Sequence, residues 1–102
     1  MPLIIELRSR SGETLRRTGE SPPHAVFPAP SLDDASFPLL RLVDPYGDTL
    51  FSSYQMRGIR PEIRVLRERA TSDRQRKLLG EVDELAALCE ASPHTFLVFV
   101  GD

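Results

Sequence analysis

Two apolar stripes at helical spacing, separated by only a few residues, constrain this chain more than any other feature. Between residues 52 and 70 the apolar side chains recur at steps of three and four, the period of one helix face. A second stripe runs from 73 to 91, and Ser72 with Gln75 has the spacing of a capping box at its start. Helices joined by so short a link should form an antiparallel hairpin. Pro61 predicts a kink or break in the first helix near residues 57–60.

Strand patterns flank the hairpin on both sides. Residues 3–8 alternate at period two, and the polar stretch 14–18 suits an exposed edge strand. Residues 39–43 and 95–100 are almost wholly apolar, which predicts interior strands covered on both faces. With 102 residues the chain can bury one core. The sequence therefore predicts a single α+β domain over 1–102, a two-layer sandwich with a three- or four-stranded, mainly antiparallel sheet and a helical hairpin on one face.

The segment 20–38 holds five of the nine prolines and has neither helical nor strand period. Connections of this length are functional or disordered unless an element has been missed. Its apolar residues predict that it is pinned onto the body of the protein; they are Val26, Phe27, Leu32 and Phe37.

The motif DPYGD, at 44–48, separates the predicted strand 39–43 from the first helix. If that strand runs upward, the first helix descends and the second ascends. The last strand then starts at the upper end of the sheet, where the motif lies. His94, which precedes the last strand, should therefore lie near the motif. The candidate binding residues are Asp44, Tyr46, Asp48 and His94.

Two interpretations of this cluster remain open. Two carboxylates and an imidazole could form an acid/base enzyme site or a weak divalent-metal site. However, Asp44 is also what a type I turn prefers, and Asp48 is what a helix N-terminus prefers. We favour this local explanation and assign no catalytic residue, metal ligand or cofactor. Cys89 lies on the apolar stripe of the second helix, which favours a core role over that of a nucleophile. No phosphate-binding, dinucleotide-binding or zinc-protease motif occurs.

Basic residues are concentrated in one part of the chain. The net charge of −2 gives no global attraction to nucleic acid or to an anionic membrane. Residues 57–77 nevertheless carry eight basic and three acidic residues, whereas 78–102 carry five acidic and no basic residues. We favour ion pairing within the hairpin or an ordinary solvated face over nucleic-acid binding, because no aromatic residues are interleaved. The candidate anion or partner surface consists of Arg57, Arg60, Arg64, Arg67, Arg74 and Arg76.

One combination of motifs resembles known sequences. DPYGDT at 44–49 is followed by an aromatic residue, by Gln55 and Met56, and by FVGD at 99–102. This combination resembles small uncharacterised bacterial proteins of about this length, over most of 37–102. No activity is established for such proteins, so the resemblance implies none.

The absence of catalytic motifs, together with the pinned loop and the charged hairpin, favours a non-enzymatic protein–protein interaction module with a regulatory, immunity-type or accessory role. The alternatives are an enzyme or metal site at Asp44, Asp48 and His94, and an arginine-rich nucleic-acid binder. A single cysteine and the lack of an apolar run of about 20 residues favour the cytoplasm. An exposed edge strand also leaves a homodimer open.

Overall fold

The computed structural model describes residues 3–18 and 27–101. Its strands form one antiparallel sheet in the order β2-β1-β4-β3, and the two helices pack against each other and on the sheet. The predicted α+β architecture with a helical hairpin is confirmed. The elements are β1 (Ile4–Arg8), β2 (Thr14–Arg17), β3 (Asp48–Ser52), α1 (Met56–Glu68), α2 (Asp73–Ala91) and β4 (Phe96–Val100).

The helices follow their sequence periodicity closely. α2 has the predicted bounds, and the Ser72 hydroxyl accepts the Gln75 N–H at 3.2 Å. α1 begins at Met56 because Ser53–Gln55 forms a 3₁₀ turn ahead of it. Of the predicted kink or break near residues 57–60, the break is wrong, since α1 continues through Pro61 to Glu68. Within the described residues, neither helix is long and apolar enough to cross a bilayer.

The predicted strand at 39–43 is wrong. Leu40–Leu42 is a 3₁₀ turn, and the third strand is β3, which begins five residues after Val43. Phe37, Leu40 and Val43 are buried, whereas Leu42 is 52% exposed. A burial spacing of three matches the three residues per turn of a 3₁₀ helix. The apolar residues of this stretch therefore fill the core from a turn.

A buried carboxylate holds that turn in place. Glu62 of α1 is 7% exposed and accepts the Leu40 N–H at 2.9 Å. Both of its oxygens also lie 3.3 Å from the Leu39 nitrogen. Glu62 thus satisfies backbone donors that a strand would have paired within a sheet.

The described part of the proline-rich segment is attached to the core. The Phe27 ring lies 5.1 Å from the Phe99 ring, and Phe37 is 2% exposed. Leu32 was predicted to help pin the segment, but it is 67% exposed. Val26 and the rest of 19–26 lie outside the described residues.

One face of the sheet packs on the two helices. Leu97 and Phe99 of β4 belong to the same core as the buried residues of α1 and α2. Phe96, Val98 and Val100 alternate with them and point to the opposite side. Val98 is fully buried but lies outside that core. The prediction that β4 is a central strand is confirmed, because β4 lies between β1 and β3. Val98 and its neighbour Glu6, on the face opposite the helices, are also buried.

Candidate functional site

The most exposed aromatic side chains of the described residues lie on either side of the edge strand β3. Tyr46, two residues before β3, is 82% exposed, and Tyr54, two residues after it, is 89% exposed. Leu50, at the middle of β3, is 55% exposed. We call these three residues the β3 surface. Exposed tyrosines on a sheet edge are typical of a contact surface, because tyrosine is enriched at protein interfaces.

A tight turn positions Tyr46. The Asp44 carboxylate accepts the Tyr46 N–H at 2.9 Å, and the Gly47 N–H donates to the Asp44 carbonyl at 3.4 Å. The Asp44 N–H in turn donates to the Thr49 hydroxyl at 2.9 Å. The predicted turn is confirmed, and it leads into a strand rather than a helix. Asp44 is therefore engaged in holding Tyr46 at the tip.

A hydrogen-bonded 3₁₀ turn positions Tyr54. The Gln55 side-chain oxygen accepts the Ser52 N–H at 2.8 Å, which closes the 3₁₀ turn Ser53–Gln55 onto the end of β3. Tyr54, in the middle of this turn, projects into solvent. Both ends of β3 thus carry an exposed tyrosine on a hydrogen-bonded turn.

Among residues 3–18 and 27–101, the outer edge of β3 has no strand partner. The Gly101 N–H donates to the Gly47 carbonyl at 2.9 Å, which identifies Gly47 as facing β4. Because the hydrogen-bonding side alternates along a strand, Thr49 and Phe51 also face β4, and Asp48, Leu50 and Ser52 face outward. The Ser52 N–H is already bonded to Gln55. The N–H and C=O groups of Asp48 and Leu50 and the Ser52 C=O therefore form an open hydrogen-bonding edge.

A row of side chains crosses the sheet face opposite the helices and ends at this edge. Arg17, Glu6, Val98 and Leu50 are successive cross-strand neighbours from β2 to β3. Glu6 is 5% exposed, and its carboxylate accepts hydrogen bonds from Arg8 and Arg17, both at 2.8 Å. Burial raises the pKa of Glu6, but the hydrogen bonds from Arg8 and Thr14 and the two guanidinium charges outweigh it, so its pKa is lowered. Sequence reasoning missed this network, which joins residues on two strands.

The register of β3 and β4 separates the predicted site residues. Asp48 pairs with Val100, whereas Ser52 pairs with Phe96, the first residue of β4. Four residues of strand span about 13 Å, and His94 lies beyond that far end. The predicted convergence of Asp44, Tyr46 and Asp48 with His94 is wrong, because it was derived from a strand at 39–43. The two aspartates and Tyr46 lie at one end of β3, and His94 follows the other.

The described residues contain no group of three or more His, Cys, Asp or Glu side chains that could hold a metal ion. His94 is exposed and has a φ of 70°, which places it in the left-handed region, in the turn between α2 and β4. Cys89 is buried in the core as predicted; burial raises the pKa of its thiol, which disfavours the reactive thiolate.

The arginine-rich surface of the hairpin is partly neutralised by its own acidic residues. Arg60 of α1 contacts Asp83 at 3.2 Å and Glu90 at 2.8 Å, both on α2, and these bonds raise its pKa. Arg76 contacts Asp73 at 2.6 Å. Two of the six candidate arginines therefore serve the hairpin itself, as the ion-pairing explanation expects. The others are exposed: Arg57, Arg64, Arg67 and Arg74.

Comparison of the chain with protein-family models, with curated proteins and with solved structures finds no match.

Proposed function

We propose that this protein is a small, non-enzymatic protein–protein interaction module whose partner binds the β3 surface. The observation that carries this proposal is the exposure of Tyr46, Leu50 and Tyr54 around an edge strand with open hydrogen-bonding groups. Tyrosines are frequent hot spots because they cover a large area with few rotatable bonds. An open strand edge supplies backbone donors and acceptors to a second chain. Among the described residues, exposed tyrosine side chains and unpaired backbone groups are thus combined at one edge of the sheet.

Two features favour binding over the alternatives. Acid/base or metal chemistry needs groups that converge within hydrogen-bonding or coordination distance. The pairing of β3 with β4 instead places Asp48 and His94 toward opposite ends of the two strands. Nucleic-acid binding depends on clustered cationic groups, and carboxylates already pair with two of the six candidate arginines, Arg60 and Arg76, which weakens that surface. A regulatory, immunity-type or accessory role in the cytoplasm belongs to this proposal, since the buried, unpaired Cys89 suits a reducing compartment.

Site-specific photo-crosslinking tests the proposal. A photoreactive phenylalanine analogue replaces Tyr54 in one sample and Leu15 in the other. Leu15 is a matched control because it is 48% exposed on β2, the opposite edge of the sheet. The proposal predicts a discrete protein adduct in cells from position 54 and none from position 15.

Formation of the adduct at position 54 should also depend on Leu50, the central residue of the β3 surface. Introducing Leu50→Lys into the position-54 chain should abolish the adduct, whereas Leu15→Lys should leave it unchanged. Equal labelling from both positions, or an adduct indifferent to Leu50→Lys, would contradict the proposal.

A further inference from the structure

We propose that the partner of the β3 surface is a second copy of this chain. In this arrangement β3 pairs antiparallel with its equivalent across a two-fold axis through Leu50, so that two four-stranded sheets join edge to edge. The inference rests on the proposed function and names the partner for it. The supporting observation is that matching backbone and side-chain groups lie at equal distances before and after Leu50.

The open backbone groups of β3 match those of a second β3. Centred on Leu50, each Leu50 N–H donates to the Leu50 carbonyl of the other copy. Each Asp48 N–H then faces the Ser52 carbonyl of the other copy. The Ser52 N–H is not needed, and it keeps its 2.8 Å bond to Gln55. This register therefore uses the donors of Asp48 and Leu50 and leaves no new donor unpaired.

The side chains on the sheet face opposite the helices favour the same register. Leu50 meets Leu50 of the other copy, with the buried Val98 behind each as its cross-strand neighbour. Asp48 lies opposite Ser52, so no like charges face each other across the strands. A shift of two residues sets Asp48 against Leu50, and a further shift sets Asp48 against Asp48. The centred register is the one that joins apolar to apolar and acid to hydroxyl.

The two tyrosines provide the area that a strand edge alone lacks. Tyr46 and Tyr54 stand at equal distances from Leu50, so the axis brings Tyr46 of one copy toward Tyr54 of the other. Four tyrosines, at about 150–250 Å² each, would bury roughly 600–1,000 Å². With two leucines and the strand edges added, the total reaches the ~1,000 Å² expected of a specific interface.

The opposite edge of the sheet is unsuited to self-pairing. β2 has only four residues, two of which are Arg16 and Arg17. Its pairing with β1 is interrupted by an irregularity between Leu7 and Arg8. Edge arginines and bulges discourage strand addition, because a second copy would oppose like charges on a distorted edge. Self-association through β3 alone gives a closed dimer rather than an open filament.

Light scattering coupled to size-exclusion chromatography tests this inference on the full chain. The expected mass at high micromolar concentration is twice the chain mass of 11.5 kDa. Leu50→Lys should return the chain to monomer, because it sets two ammonium groups against each other on the axis. Leu15→Lys, the same change on the other edge, should leave the dimer intact. A monomer for the unmodified chain, or a dimer that survives Leu50→Lys, overturns the inference.

Cysteine crosslinking tests the register without relying on mass. Residues paired across the axis have Cα atoms about 5.5 Å apart, which is within the disulfide range. Mild oxidation should therefore link Leu50→Cys chains to each other and Asp48→Cys chains to Ser52→Cys chains, but should leave Leu15→Cys chains unlinked. The native Cys89 does not compete because it is buried. Failure of Leu50→Cys chains to link contradicts the inference. If the chain is monomeric and the photo-crosslinked adduct at position 54 contains a different protein, the partner is not a second copy, but the proposed function stands.

Discussion

Removing the Glu62 carboxylate should destabilise the protein markedly, although the residue lies on a helix and belongs to no predicted site. Glu62 is 7% exposed, and the turn Leu40–Leu42 depends on it. Its carboxylate accepts the buried Leu40 N–H at 2.9 Å and the Leu39 N–H at 3.3 Å. This turn precedes β3, so the same bonds anchor the segment that delivers the β3 surface.

The magnitude follows from the two backbone donors. An unpaired buried donor costs about 1–3 kcal/mol, and a hydrogen bond to a charged group contributes about 1.5–3 kcal/mol. The Leu40 bond should count nearly in full, and the longer Leu39 bond should count less. We therefore expect Glu62→Ala to lower the free energy of unfolding by about 2–4 kcal/mol. Glu62→Gln keeps one acceptor oxygen and should cost about 1–2 kcal/mol.

Urea denaturation followed by circular dichroism measures these differences. Glu68→Gln is the matched control, because Glu68 is an exposed carboxylate in the last turn of the same helix. It should change the free energy of unfolding by no more than about 0.5 kcal/mol. A change for Glu62→Ala within the range of Glu68→Gln would show that the carboxylate does not hold the turn.

Three further predictions follow from the described contacts. The pKa of Glu6 is lowered from its usual 4.5, so its contribution to stability is present above pH 4.5 and is lost as the pH falls through the folded-state pKa. Thermal unfolding measured from pH 7 downward should show this loss of stability in the unmodified chain and not in Glu6→Gln. Arg60→Met should cost about 0.5–1 kcal/mol in urea unfolding, more at low salt, whereas the exposed Arg57→Met should be nearly neutral. Cys89 should resist a thiol reagent at neutral pH and react fully in urea, and rapid native labelling would contradict its burial.

The helices could be predicted because their signal is local and repeated. The stripe Met56, Ile59, Ile63 and Leu66 specifies one face over more than two turns, and all four residues are buried. The bounds of α2 followed from Ser72 as a cap at one end and Pro93 beyond the other. β4 was equally clear, since TFLVFV combines β-branched and aromatic residues.

The third strand could not be identified because its signals point both ways. Asp48, Thr49 and Ser52 favour a helix start as readily as a short strand, and only pairing with β4 decides between them. The apolar run at 39–43 likewise fits either a strand or a turn. Its outcome depends on Glu62, more than 20 residues away, which accepts the Leu40 N–H. Strand pairing and buried carboxylates are long-range effects that leave little trace in local composition.

The predicted convergence of His94 with Asp44 and Asp48 failed for the same reason. Placing the strand at 39–43 brought His94 beside Asp44 and Asp48, whereas the register of β3 separates them. The β3 surface is predictable only in part from the sequence, since the turn motif indicates Tyr46, whereas Tyr54 lies within the range 52–70 that the helical periodicity covers. Exposure of an apolar residue cannot be read from its identity alone.

Amide hydrogen exchange at two protein concentrations reports on the edge of β3 residue by residue. If β3 pairs with a second copy, the amides of Asp48 and Leu50 should exchange rapidly in dilute solution and become protected at high concentration. The Ser52 amide, already bonded to Gln55, and the Phe51 amide, which faces β4, should change far less. A Leu50 amide that exchanges equally fast at both concentrations would contradict pairing of β3 with a second copy.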